Sequence, residues 1–313
     1  MENQALGLAE ALQRLSPSAT LAVRRVKWRK AFDKLPSSLK ASWMLDPASD
    51  PVFPVDGELW PDVWIATGRA TLPLSLMAKR RSRGRTFVVQ TQDPRWRTGV
   101  FDLVVAPRHD RIEGPNVISI TGSPHRISPE RLAEAAPAFA DRLGPLPRPR
   151  VAVLIGGRSR AHDLPEGHAA ALAEQIARAI EAAGGSVMLT FSRRTPEPAK
   201  AAMSARLAPL PGWIWDGTGA NPYFAFLHAA DHVLVTEDSA NMAAEAASTG
   251  KPVHILPMIA TRATDKFVRL HDDLRARGSA RPFDGALESW TYEPLVETER
   301  AAREVLRRMG RAS

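Results

Sequence analysis

Apolar segments of strand length alternate with longer stretches of helical spacing along most of the chain. In the first half, residues 21–26, 63–67, 86–91, 101–106 and 116–120 are short and rich in Val, Ile, Leu and Phe, which predicts strands. Residues 3–15, 71–81 and 129–143 carry the three-to-four-residue spacing of amphipathic helices, and Pro73 falls where a first helical turn tolerates it. Residues 144–150 (GPLPRPR) place three prolines in seven positions. Neither helix nor strand continues through such a stretch, so it reads as a linker.

The pattern then restarts. Residues 151–155 (VAVLI) are wholly apolar, the signature of a strand buried on both faces of a parallel sheet. Helical spacing over 167–183 stops at Gly184-Gly185, and 186–191 is the next strand. Further elements are expected at 198–207, 213–215, 221–229, 233–235, 241–248, 253–256 and 295–309. Strands alternating with helices of this length predict two doubly wound α/β domains, 1–146 and 147–313, with a ligand cleft at their strand C-terminal edges. The final helix is expected to pack back on the first domain. One element is missing from this scheme. The chain opens on a helix where a doubly wound domain supplies its central strand, so Met1 reads as an internal methionine with a strand upstream of it.

Composition narrows the function classes. There are 313 residues, 44% hydrophobic and 24% charged, with no cysteine, which excludes disulfides, thiolate catalysis and cysteine-ligated zinc. No apolar run reaches the roughly 20 residues of a membrane span, and residues 1–10 lack the features of a signal peptide. A cytoplasmic location, in peripheral contact with an anionic membrane at most, is expected. The net charge is +8. The arginine pairs 24–25, 80–81 and 193–194 form no stripe interleaved with aromatics, so no specific nucleic-acid partner is expected.

The chemistry gathers where strands end. In TEDSANMAAEAASTGKPVHILP (residues 236–257), a strand stops at Thr236 and a helix begins with Asp238 or Ser239 as N-cap. Free amides at a helix N-terminus suit a diphosphate, with Glu237, Asp238, Ser239 and Asn241 clustered there. Glu245, nearly two turns on, is spaced to accept ribose hydroxyls. The plainer reading is that Asp238 and Ser239 cap and Glu245 faces solvent. Gly156, Gly157, Arg158 and Ser159 follow the first strand of the second half, a phosphate cradle or a simple turn. Gly68, Arg69, Asp93, His109 and Asp110 lie just past first-half strands, with the last three as candidate acid or base. His125 and His162 read equally as packing histidines. Metal-protease, P-loop and dinucleotide motifs are absent, as is a paired-aspartate metal site.

The stretch 236–257 resembles the nucleotide-binding signature of GT-B glycosyltransferases and of non-hydrolysing UDP-N-acetylglucosamine 2-epimerases. Asp238, Ser239, Glu245, Gly250, Lys251 and Pro252 stand at the signature positions, while Ala240 and Asn241 replace its usual glycines. ENQALGLAEAL, ATGRATLPLSLMAKR, TQDPRW, FDLVVAPRHD, GPNVISITGSPHRI and LIGGRSRAH together resemble the elongated-mitochondria fission-protein family, whose bacterial members are GT-B-like. This resemblance implies two Rossmann-like domains in a GT-B-type arrangement and a nucleotide-diphosphate sugar bound by the second. It implies a metal-independent glycosyltransferase with no cofactor and an acceptor of unnamed class. A sugar-nucleotide epimerase, and a non-catalytic fission-type interaction protein, stay open beside it.

Overall fold

The computed structural model describes residues 2–55 and 58–311; the expectation about Met1 lies outside them. In chain order the elements are α1 (Glu2–Leu15), β1 (Val63–Thr67), α2 (Leu72–Arg81), β2 (Phe87–Thr91), β3 (Leu103–Pro107), β4 (Val117–Ile120), α3 (Pro129–Ala135) and α4 (Ala140–Leu143). They continue with β5 (Arg150–Ile155), β6 (His162–Asp163), α5 (Glu166–Ala182), β7 (Ser186–Phe191), α6 (Glu197–Leu207), β8 (Gly212–Ile214) and α7 (Tyr223–Ala229). The last are β9 (His232–Thr236), α8 (Ala240–Ala247), β10 (Val253–Leu256), β11 (Ile259–Ala260), α9 (Asp265–Ala276), β12 (Ala280–Pro282) and α10 (Glu297–Arg308). Between α1 and β1 the chain forms short 3-10 turns at Lys30–Phe32, Ser37–Leu39 and Ser42–Met44.

The predicted α/β class holds: two parallel sheets carry the fold. The first runs β1-β2-β3-β4 in sequence order, with Thr67 opposite Thr91 and Pro107 opposite Ile120. Alternation along its strands sorts the core. Val89, Leu103, Val105 and Ile120 pack on one face with Leu8, Ala11 and Leu12 of α1 and Ala301, Ala302 and Val305 of α10. Val88, Val104 and Ala106 pack on the other with Leu72 of α2. The second sheet has order β12-β10-β9-β5-β7-β8, all parallel. Val151, Val153 and Ile155 face α5 and α6, while Ala152 and Leu154 face the helices on the opposite side.

Two compact units result, residues Met1–Arg126 with Val296–Ser313, and Ile127–Leu295. The boundary at 146/147 therefore moves upstream by about twenty positions. Ile127, Leu132 and Leu143 join the core of Trp213 and Phe226, so α3 and α4 belong to the second unit. Residues 144–150 are tied into it too: the Gly144 carbonyl accepts from Arg150, and the Pro147 carbonyl from the Ser186 hydroxyl. The last helix, α10, belongs to the first unit. Glu297, buried in its first turn, accepts the Thr121 N–H.

Two further differences have local causes. Residues 21–26 form no strand, because a strand needs a ladder partner and the neighbouring pairing is the single bridge Trp28–Leu45. The predicted helix at 129–143 breaks at Pro137 into α3, a 3-10 turn and α4. The helix α9 was not anticipated, although Phe267, Leu270 and Leu274 carry its spacing.

Candidate functional site

The second sheet changes winding direction at β5, which has β7 on one side and β9 on the other. In open parallel sheets the crevice beyond the strand C-termini at such a reversal is the natural ligand site. The loops leaving β5 and β9 meet there, and the side chains fasten them. The Thr236 hydroxyl accepts the Gly156 N–H at 2.7 Å and donates to Asp238 Oδ1 at 2.7 Å. Asp238 Oδ2 accepts the Gly157 N–H at 3.0 Å and the Arg194 guanidinium at 2.8 Å. A Cβ at Gly156 would lie 1.9 Å from Asp238 Oδ1, so only glycine lets the two loops approach this closely. The Asp238 side chain is fully buried and its charge is matched by Arg194, as a buried carboxylate requires. Asp238 thus acts inside the wall of the site.

Ser239 is the N-cap of α8 and its hydroxyl accepts the Met242 N–H. The first-turn amides have no carbonyl within the helix to bond, and the helix dipole adds positive character at the same place. Asn241 stands exposed in this first turn. Glu245 is one turn further. Its Oε2 accepts the Tyr223 hydroxyl of α7. Burial pushes the Glu245 carboxyl up to about 7, against the stabilising bond from Tyr223. Burial, and then the carboxylate itself, hold the Tyr223 phenol well above its ordinary range. One carboxylate oxygen is committed to the tyrosine.

The other predicted residues take varied places. The Glu237 carboxylate accepts the Met258 N–H at 2.6 Å, and its carbonyl bonds His271 Nε2 at 2.9 Å. Glu237 lines a hollow of about 210 Å³ with His162, Phe267 and His271. The structure gives Lys251 a different task from that implied by resemblance: its ammonium donates to the carbonyls of Leu227 and His228 at the end of α7. Burial lowers it to about 8. Arg158 is engaged by both oxygens of Asp163 and is well exposed. Ser159 closes a turn by accepting the N–H groups of Ala161 and His162.

In the first unit, Gly68, Asp93, His109 and Asp110 do lie at one strand-end edge. Gly68 precedes a 3-10 turn that exposes Arg69. Asp93 accepts the Arg95 N–H at 2.7 Å, a local turn. His109 is buried, with Nε2 3.8 Å from Asp110 Oδ1. His125 is a packing residue: Gly7 of α1 sits so close that a Cβ there would be 2.3 Å from the His125 carbonyl carbon. Burial lowers its imidazole to about 4. Among the described residues no group of three His, Asp or Glu side chains is arranged to hold a metal ion. No helix among them is long and apolar enough to cross a membrane.

Sequence reasoning missed Thr236, Arg194 and Tyr223 as parts of the site. Arg194 belongs to one of the basic pairs, and Tyr223 is one of only two tyrosines. Their partners lie 44 and 22 positions away.

The family model described as "Mitochondrial fission ELM1" matches residues 1–309. The chain belongs to that family. Within it, the mitochondrial fission protein ELM1 of Arabidopsis thaliana is 34% identical over 280 residues, covering 80% of this chain and 64% of the plant protein. The chain therefore spans less than two thirds of that relative's length. An uncharacterised protein of Rickettsia prowazekii is 24% identical over 310 residues, 86% of each chain. Among solved structures, a UDP-GlcNAc 2-epimerase from Neisseria meningitidis bound to UDP-GlcNAc aligns at TM-score 0.45 and 13% identity, covering 79% of this chain and 76% of its own. MurG of Acinetobacter baumannii aligns at TM-score 0.44 and 15% identity, covering 99% and 91%.

Proposed function

We propose that the second unit binds a nucleoside-diphosphate sugar, and that the protein transfers the sugar without a metal ion. The observation that carries this reading is the fastened pair of loops at the winding reversal, with the α8 N-terminus and Glu245 on one short helix. Such amides favour an anion and are fixed before it arrives. The diphosphate sits at the Ser239–Asn241 turn, and the uncommitted oxygen of Glu245 takes a ribose hydroxyl. As the glycosidic bond breaks, negative charge grows on the diphosphate, and the helix tip with Arg194 beside Gly157 stabilises it. The acceptor is a separate molecule, with Asp93, His109 or Asp110 as the candidate base that activates it and Arg69 to neutralise charge.

Calorimetric titration with uridine, guanosine and adenosine diphosphates in chelator tests the reading. One of them should bind, and at 100 times Kd should stabilise the fold by about 2.7 kcal/mol. Glu245→Ala should weaken that binding. Equal affinity in the variant removes Glu245 from the site, and binding that appears only with added magnesium overturns the metal-free mechanism. Product analysis with a labelled sugar nucleotide separates transfer from epimerisation.

A further inference from the structure

The segment between α1 and β1 enters neither parallel sheet, and it concentrates two properties. Residues 21–45 hold Arg24, Arg25, Lys27, Arg29, Lys30, Lys34 and Lys40 against the single acid Asp33. This is six of the eight net positive charges of the chain, in 25 positions. Arg25 pairs with Glu2. Among the described residues the other six form no ion pair with a carboxylate.

The same segment exposes large apolar side chains. Trp43 is 61% exposed and Leu39 63%, and Leu21 and Val23 are exposed beside Arg24. Trp43 and Phe32 meet edge to face at 5.3 Å, which joins two of the 3-10 turns, and Lys40 lies over Trp28 at 4.9 Å. Arg81 donates to the Ser42 hydroxyl, so the exposed arginines at the end of α2 (Arg80 and Arg81) and after it (Arg83 and Arg85) extend the basic ground. The acids that follow turn back to backbone amides: Asp46 accepts from Ala48, and Asp50 from Arg25. Beyond them Val55 and Leu59 are again exposed, beside Glu58.

Exposed Trp and Leu forgo the free energy that burial would give, while Lys and Arg without carboxylate partners are hydrated and open to an anionic surface. They suit a phase boundary, where apolar side chains enter hydrocarbon while cations meet anionic head groups. We propose that residues 21–45, with the arginines at and just after the end of α2, form a docking surface for an anionic lipid bilayer. Charge selects this occupant over a second copy of the chain, which would bring like charges together. Leu21, Val23 and Leu39 select it over nucleic acid, since aliphatic side chains offer bases no stacking surface. Because no described helix can span a bilayer, contact is peripheral and each basic residue adds on the order of 1 kcal/mol near an anionic surface.

Co-sedimentation of the full chain with vesicles of phosphatidylcholine alone, or of phosphatidylcholine enriched in phosphatidylserine, tests this. The chain should pellet with the anionic vesicles and stay in solution with the neutral ones. Lys30→Glu with Lys34→Glu should weaken vesicle binding by about tenfold or more. Trp43→Ala should weaken it several-fold while leaving its salt dependence unchanged. Both sites are exposed, and an unchanged melting temperature verifies the fold. If the double variant unfolds, Trp43→Ala and a salt titration of the wild type decide. Equal sedimentation with both vesicle types, or anionic binding untouched by Trp43→Ala, overturns the proposal. Displacement from vesicles by single-stranded RNA, at concentrations where an equally charged polyphosphate has no effect, also overturns it.

Discussion

The strand-end edges of the two units carry similar residue types and are built in different ways. In the second, side chains reach across strands: Thr236 and Asp238 hold the Gly156-Gly157 loop, and Arg194 arrives from the loop after β7 to close the network. In the first, the ties across strands run from side chains to carbonyls, Gln90 to Gly68 and Thr91 to Ala66, and the candidate residues stay local. Asp93 bonds two residues on, His109 is buried beside Asp110, and the Thr71 hydroxyl folds back on Gly68. Longer-range ties there come from α1, through the Thr67 hydroxyl to Gln4, and from α10, through Glu297 to Thr121. A rim fastened across strands keeps its amides aimed at one point, which favours an anion of fixed geometry. Candidate residues held in local turns can change one at a time without loosening the rim that carries them.

The sharpest way to break this contrast is Asp238→Ala. It strips the Gly157 amide and Arg194 of their shared acceptor inside the wall, and unpaired buried groups cost heavily. A loss of about 3 kcal/mol, read by urea denaturation, is expected. No candidate position at the first-unit edge should match it. A smaller loss of similar kind, about 2 kcal/mol, is expected for Gly7→Ala, since the new Cβ meets His125 backbone rather than a movable side chain. An unaltered denaturation midpoint would mean that α1 is free to shift.

Glu245 sharpens the comparison through pH. Its folded carboxyl titrates near 7, above the ordinary 4.5, so the unfolded chain releases this proton first. Stability from this group is therefore full below pH 4.5 and is lost as pH rises toward 7. Buried histidines such as His254, lowered to about 4, act in the opposite sense, so the wild-type curve alone mixes the two. The difference between wild type and Glu245→Gln should isolate a change of about 3 kcal/mol across that window. A flat difference curve would place the titration elsewhere. The smallest effect is expected from Arg158→Ala. Its pair with Asp163 is exposed and screened, so the melting temperature should not move measurably, and any large drop would show the Gly156-Gly157 loop to depend on it.

The sequence made the α/β class and the β9–α8–β10 unit legible because buried parallel strands write themselves as unbroken apolar runs, as in residues 151–155. Ser239 as N-cap followed from local rules. What stayed hidden depends on the partner and not on the residue. Lys251 stands in a Gly-Lys-Pro turn that looks like part of a nucleotide site, yet its ammonium serves carbonyls on α7. Arg194 looked like scattered charge until the fold set it against Asp238. The unit boundary was missed because three prolines mimic a linker, whereas Ile127, Leu132 and Leu143 show their allegiance only through packing.

The return of α10 to the first unit sets a timetable for synthesis. Leu8, Ala11 and Leu12 leave the ribosome before the second unit is made, but the residues that close over them, Ala301, Ala302 and Val305, follow it. The whole of Ile127–Leu295 is translated in between. The first unit to be made is then the last to be finished, the reverse of the usual vectorial order. The basic, Trp-bearing segment after α1 spends that interval on a nascent chain whose core is still open.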